Sequence, residues 1–318
     1  MLIKIVEPLG IEERALELMI EPLMNRGHQV VKYENIPNSE EEMMERCQDA
    51  EVIIVANSTI SDDVIKHSKH LKMISVAFTG IDHIGAFYLK ERNIVVSNAA
   101  GYSNDSVAEL VIALTLNILR NVCEANQVTR NGGTINGLVG NELKGKTVGV
   151  VGTGKIGLNT AILFKAFGCN LIGFDPYPSE QAKEMGIKYV TLEELFKSSD
   201  VVTLHLPLME TTRGIINRDL MEKMKPNSIF INCARGPIVD NNALSEMLNT
   251  DKIAAAGIDV YDMEPPIPSE YPLLSAKNTL FTPHVAYATG ESMIKRAEIT
   301  VENVIAFLEG KPQNVMIK

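Results

Sequence analysis

Short apolar runs alternate with longer amphipathic stretches along the whole chain. Residues 2 to 6, 29 to 33, 51 to 55, 71 to 77 and 94 to 97 are rich in Ile, Val and Leu and read as strands. The segments between them are helical in pattern, rich in Glu, Met and Leu, so the first third predicts a small parallel α/β unit. From Ser106 to about Asn131 one long helix is expected. Its Val107, Leu110, Val111, Ile112, Leu114, Leu116, Ile118 and Leu119 fall on more than one face, the pattern of a helix buried on several sides. A second series of strands follows near 146 to 151, 170 to 174, 201 to 205, 228 to 233, 254 to 259 and 279 to 282. The last element is an amphipathic helix from Gly290 to about Leu308, stopped at Gly310-Lys311-Pro312.

The second series opens on the most informative segment. Lys146 to Val151 is a β-branched, apolar run that feeds into Gly152-Thr153-Gly154-Lys155-Ile156-Gly157. A helix follows, with Leu158, Ile162, Leu163, Phe164 and Phe167 expected on its apolar face and Gly168 as its stop; Asn170 to Phe174 is the next strand, ending at Asp175. In a βαβ unit Gly152 permits the tight turn, Gly154 lets backbone approach a pyrophosphate, and Gly157 lets helix and strand pack closely. The unpaired N–H groups at the helix start suit phosphate. Asp175 can accept hydrogen bonds from an adenosine ribose and would repel a 2′-phosphate, and Pro176-Tyr177-Pro178 supplies no arginine. The expected cofactor is therefore NAD, not NADP.

Since the first series has no phosphate loop, the simplest architecture is two doubly wound parallel-sheet α/β domains. Residues 1–99 plus 289–318 would form a flavodoxin-like substrate domain and 100–288 a Rossmann cofactor domain, the chain crossing near residue 100 and back near 289. The cleft between them would hold the substrate.

Composition narrows the class. The chain has 318 residues, 45% hydrophobic and 22% charged, enough for two ordinary cores. A net charge of −10 argues against nucleic acid or an anionic membrane as partner, so an anionic substrate must be held by local cations. The four cysteines, Cys47, Cys123, Cys169 and Cys233, form no C-x-x-C pair and no metal spacing. Free thiols in a reducing cytoplasm are expected, and no metal site. His67 and His70 share a helix face, where solvation is the expected fate; His205 is expected to be structural, and Cys233 a small buried residue.

Three strand ends carry the candidate chemistry. Ser228 to Ala234 leads to Arg235 and Gly236, placing a guanidinium at the carboxyl edge of the sheet, where open α/β sheets bind ligands. Arginine grips a carboxylate through two parallel hydrogen bonds, which lysine cannot reproduce. Thr282-Pro283-His284 ends another strand in an imidazole, a group with an ordinary pKa of about 6.5. Glu264 would hold that ring when it is protonated, and Asp259, closing the strand between, could orient a nicotinamide carboxamide. Each residue alone would more often be a surface ion pair. Together, behind a dinucleotide loop, they suggest general acid-base catalysis beside a carboxylate clamp.

Those residues resemble the D-isomer-specific 2-hydroxyacid dehydrogenase family. The likeness runs through Gly152 to Gly157 with Asp175, Thr203 to Leu208 with Thr211 to Gly214, Asn232 to Gly236, Gly257 to Val260 with Glu264-Pro265, and Thr282 to His284. It implies an NAD-dependent oxidoreductase in which Arg235 binds substrate, His284 exchanges the proton and Glu264 supports His284. It also implies that Lys155, Ile156, Asp175, Leu206, Pro207, Thr212, Cys233, Ala234 and Asp259 surround NAD, and that the protein is a homodimer joined through the cofactor domain and the long helix. Asn98 to Ser103 with Ser106 to Leu110 resemble the family's crossover into the cofactor domain.

Ile74 to Asp82 resembles the substrate loop, which points to Phe78, Thr79 and Gly80. Members using 3-phosphoglycerate usually carry an arginine where Val76 stands, so an unphosphorylated acid is expected, in a pocket made partly apolar by Phe78 with Tyr102 or Tyr287. A phosphoglycerate dehydrogenase-type enzyme is the alternative within the family. An NAD-sensing, corepressor-like binding protein is the alternative outside catalysis.

Overall fold

A computed structural model describes residues 1–317; Lys318, the last residue of the expected substrate domain, lies outside the described residues. The chain divides into two compact units, one formed by Met1–Ser103 with the segment from Ala288 onward, the other by Asn104–Tyr287.

In the first unit the strands are β1 (Leu2–Ile5), β2 (Gln29–Lys32), β3 (Val52–Val55), β4 (Met73–Val76) and β5 (Val95–Asn98). They pair in parallel in the order β5-β4-β3-β1-β2. Val52 to Val55 is fully buried along its length, as expected of a parallel strand covered on both faces, where runs are continuously apolar instead of alternating. The order reverses between β1 and β3, the flavodoxin-like arrangement.

The second unit holds β6 (Thr147–Val151), β7 (Asn170–Phe174), β8 (Lys188–Tyr189), β9 (Val201–Leu204), β10 (Ile229–Asn232), β11 (Ala255–Ile258) and β12 (Thr279–Phe281). All pair in parallel, in the order β12-β11-β10-β9-β6-β7-β8. That is the Rossmann order with its switch between β6 and β9, so ligand-bearing loops gather at one carboxyl edge. Strand β8 was absent from the sequence reading, being only two residues long.

The expected long helix is two. Asn104–Arg120 ends at Asn121, which adopts φ +51, and Val122–Arg130 continues at an angle of 56°. Left-handed backbone breaks the hydrogen-bond ladder, and asparagine tolerates it better than most residues. Burial then differs sharply across the break: Val107, Val111, Leu114 and Leu119 are core, whereas Val122–Arg130 buries nothing. No single helix among the described residues is long and apolar enough to cross a membrane.

The chain finally returns to the first unit through helix Gly290–Leu308, whose ends match the sequence expectation. Thr289 and Ser292 cap it reciprocally, each side chain accepting from the other's backbone N–H, a device worth roughly 1 kcal/mol. Beyond it β13 (Val315–Ile317) pairs antiparallel with β5 at the sheet edge, an addition to the otherwise parallel sheet.

Candidate active site

The glycine loop follows β6, and its three glycines do three different things. Gly152 sits at φ +95, where an added Cβ would lie 2.8 Å from the His205 carbonyl. A Cβ on Gly157 would fall 2.0 Å from the Gly152 oxygen, so this glycine permits the close approach of helix to loop. A Cβ on Gly154 would meet nothing within 4 Å. Gly154 is also the N-cap of helix Lys155–Ala166, and no side chain caps that helix. Uncapped first-turn amides facing open space fit a pyrophosphate. The helix buries Leu158, Ala161 and Phe164, a stripe of every third residue. Ile162 and Phe167, expected on that stripe, are instead 48% and 43% exposed: Ile162 is turned away from the buried residues, and Phe167 is the C-cap, past the last helical residue.

Asp175 follows β7 and is half-buried. Its Oδ2 accepts from the Thr153 backbone N–H at 2.8 Å and from Thr153 Oγ1 at 3.2 Å, and its Oδ1 accepts from Tyr177 N–H at 2.9 Å. The glycine loop and the candidate ribose carboxylate are thus one hydrogen-bonded piece. After β9, Leu206 is buried and Thr212 ties the turn by donating to the Pro207 carbonyl at 2.7 Å and accepting from Met209 N–H at 2.8 Å. His205 lies at that strand end with Nε2 3.0 Å from Thr203 Oγ1, and loss of solvent around the ring lowers its pKa to about 3. It therefore stays neutral at any ordinary pH.

After β10 come Cys233, Ala234 and Arg235. Cys233 is buried, which pushes its thiol well above the usual range. Asn232 staples the turn from both ends, accepting from Ala234 N–H at 3.0 Å and donating to the Arg235 carbonyl at 3.1 Å. The half-buried Arg235 extends from that turn and donates to the Ala234 carbonyl at 2.8 Å.

Beyond β11 and β12 the structure brings Glu264 and His284 together. His284 Nδ1 lies 2.7 Å from Glu264 Oε2, with the imidazole side chain 15% exposed and the carboxylate 75% exposed. The Tyr287 ring stands edge-on to the imidazole at 5.5 Å. His284 has φ +55, a conformation that a side-chain-bearing residue holds only when its surroundings impose it. Asp259 is what imposes it. Its backbone carbonyl accepts from His284 N–H at 2.8 Å; Oδ1 accepts from Thr282 Oγ1 at 2.6 Å and Val285 N–H at 2.9 Å, and Oδ2 from Ala286 N–H at 2.9 Å. Asp259 is fully buried, and its pKa is raised by that burial in spite of the three donors. The carboxylate expected to orient nicotinamide also holds the segment carrying His284.

Arg235, Glu264 with His284, and the glycine loop with Asp175 therefore stand on the same carboxyl edge of one sheet. Strands β10, β11 and β12 are consecutive neighbours there.

In the first unit, Phe78, Thr79 and Gly80 follow β4. Phe78 is 9% exposed, and its ring lies 6.0 Å from that of Tyr102. A relay of three amides, with Asn98 and Asn303 buried and Asn314 exposed, fixes this loop. Asn314 donates to Asn303 at 2.8 Å, Asn303 to the Asn98 carbonyl at 2.9 Å, and Asn98 to the Thr79 carbonyl at 2.7 Å. Ala99 N–H meets the Phe78 carbonyl at 2.9 Å. Asn303, Thr153 and Tyr189 were missed by sequence reasoning. An asparagine on the core face of the last helix was the one available signal, since a buried amide needs partners.

Residues 112–286 match the family described as D-isomer specific 2-hydroxyacid dehydrogenase, NAD binding domain. The chain belongs to that family. Membership identifies residues 112–286 as an NAD-binding domain, with NAD as the cofactor. A D-3-phosphoglycerate dehydrogenase of Methanocaldococcus jannaschii is 41% identical over 277 residues, covering 86% of this chain and 52% of that protein, so the chain spans about half its length. A hydroxypyruvate reductase of Thermotoga maritima is 38% identical over 285 residues, covering 89% of this chain and 92% of that one. Among solved structures, an acyclic imino acid reductase in complex with NADPH and D-arginine superposes over 100% of both chains with TM-score 0.89 at 29% identity.

Proposed function

We propose that this family member interconverts a small, unphosphorylated 2-oxo acid and its D-2-hydroxy acid. The observation that carries the proposal is the His284–Glu264 contact of 2.7 Å on the same sheet edge as Arg235 and the dinucleotide loop. NAD would be held by Gly152, Gly154, Lys155, Ile156, Gly157, Asp175, Leu206, Pro207, Thr212, Cys233, Ala234 and Asp259. When bound, NADH supplies the hydride.

The protein's own groups do the rest. Arg235 grips the substrate carboxylate and sets the orientation of the adjoining carbonyl. A carboxylate can only accept, so His284 Nδ1–H donates to Glu264, and Nε2 is the nitrogen that gives its proton to the carbonyl oxygen. Glu264 stabilises the imidazolium before transfer, and the Nδ1–H bond fixes the tautomer afterwards. Positioned proton transfer of this kind contributes about 10²- to 10⁴-fold in rate.

Residues 1–103 with the segment from 288 onward are assigned as the substrate domain and 104–287 as the cofactor domain. Phe78, Thr79 and Gly80 are assigned to the substrate. Val76, fully buried at the end of β4, supports an unphosphorylated acid, because phosphoglycerate-using members usually carry arginine there. The phosphoglycerate-type reading draws on the 41% identity to the archaeal relative. A homodimer is proposed as well, supported by Val122, Ile135 and Val139 at 52%, 72% and 84% exposure on one contiguous stretch of chain.

NADH consumption across glyoxylate, hydroxypyruvate, pyruvate, branched 2-oxo acids and 3-phosphohydroxypyruvate tests the assignment. Turnover is expected on at least one unphosphorylated acid. Oxidation confined to the phosphorylated compound would replace the substrate, and oxidation on none of them, with NADH still bound, would favour an NAD-sensing role.

A further inference from the structure

The fold itself does not decide between the two coenzymes, since a neighbour with TM-score 0.89 holds NADPH. The decision must rest in the loop after β7, where Asp175-Pro176-Tyr177-Pro178-Ser179 contains no cation. A tyrosine from the edge strand reaches this loop. Tyr189, on β8 beside Gly173, places its hydroxyl 2.6 Å from Thr153 Oγ1 and accepts from Ser179 N–H at 3.0 Å. Thr153 is buried and contacts Asp175 Oδ2 through both its N–H and its hydroxyl.

Each hydroxyl has one proton to give, and the terminus is a carboxylate that can only accept. A single arrangement satisfies every member. Ser179 N–H donates to Tyr189, Tyr189 O–H to Thr153 Oγ1, and Thr153 O–H to Asp175 Oδ2. The reverse direction between the two hydroxyls would take a donor from the carboxylate. Such chains polarise one another toward the charged end. The relay also joins the start and end of the 175–179 loop to the glycine loop, so the loop cannot swing away without breaking it.

We propose that the Tyr189 hydroxyl is a positioning residue for coenzyme discrimination, locking Asp175 and the 175–179 loop in the form that accepts a free ribose and refuses a 2′-phosphate. This rests on the assignment of Asp175 to the adenosine ribose.

The test is direct binding, by fluorescence titration of purified wild-type, Tyr189→Phe, Thr153→Val and Asp175→Ala proteins with NADH and with NADPH. Loss of one net hydrogen bond is expected to lower the NADH-over-NADPH preference of Tyr189→Phe by about three- to tenfold. Thr153→Val keeps the backbone bond to Asp175 but breaks the relay one link further on; it should shift the same ratio and serves if Tyr189→Phe does not fold. A purely structural role for Tyr189 would weaken both coenzymes alike and leave the ratio unmoved, which would overturn the inference. If Asp175→Ala also leaves the ratio unmoved, the assignment of Asp175 is wrong. If Asp175→Ala collapses the preference while the relay variants preserve it, only the relay fails.

Discussion

Replacing Asp259 by asparagine removes a charge and one acceptor from the residue that shapes the His284 segment. An amide oxygen placed at the Oδ1 position keeps the bonds from Thr282 and Val285, but the new NH₂ then faces Ala286 N–H, donor against donor. Two charge-assisted bonds become neutral, each weaker by roughly 1 kcal/mol, and an unsatisfied buried donor costs about 1–3 kcal/mol. Loss of the charge gives part of this back, because burial already disfavours the ionised carboxyl. The net expectation is a destabilisation of about 2–3 kcal/mol, which for a unit of this size lowers its melting temperature by roughly 5–10 °C. Loosened at Ala286, the segment would also hold His284 less firmly in its left-handed conformation, and misplacement by about 1 Å costs on the order of a hundredfold in turnover. Differential scanning fluorimetry with and without NADH, alongside steady-state kinetics on the best 2-oxo acid, measures both. A melting temperature and kcat indistinguishable from wild type would refute the view that Asp259 builds the site by holding residues 282–286.

Other outcomes follow from the same geometry. Asn303→Ala leaves the buried Asn98 carbonyl without its partner, whereas the exposed Asn314 amide can turn to water; a loss of about 1–3 kcal/mol in chemical denaturation and a raised KM for substrate are expected, and unchanged values would remove the amide relay from the account. His205 titrates at about 6.5 in an unfolded chain and only at about 3 in the fold. Between those values the unfolded state holds the extra proton. Stability from this group is therefore complete above the higher value and falls with pH by at most about 1.4 kcal/mol per unit, less for the part of His205 that meets solvent. Buried Asp259, its pKa raised, contributes with the opposite sign nearer its own range. Melting curves of His205→Gln should be flatter than wild type from pH 6.5 downward, and parallel curves would contradict this. Ile135→Asp combined with Val139→Asp should convert a dimer to a monomer in light scattering; a dimer that persists would move the interface elsewhere.

The strands that carry the site were legible because parallel sheets buried on both faces write themselves as unbroken apolar runs, as in Ile229 to Ile231 and Ala255 to Ile258. Glycine spacing, the acid after β7 and the polar residues at strand ends were legible for the same reason: each marks where a run stops at the ligand edge. What the sequence hid was contact between distant segments. The two-residue strand β8 is too short for any periodicity, yet it brings Tyr189 to the glycine loop. Apolar periodicity passed through Asn121 without a mark, because a left-handed residue changes direction and not hydrophobicity. That Asp259 also holds residues 282–286 was hidden, since its partners there are mostly backbone N–H groups that any residue would offer. Ile162 and Phe167 were placed on a buried face because composition cannot say how wide that face is.

His284→Ala, followed by NADH titration and then by NADH oxidation on the best 2-oxo acid, bears most directly on the imidazole as the proton-exchanging group. The account predicts NADH affinity close to wild type with turnover reduced at least about a hundredfold. Wild-type turnover in His284→Ala would contradict it.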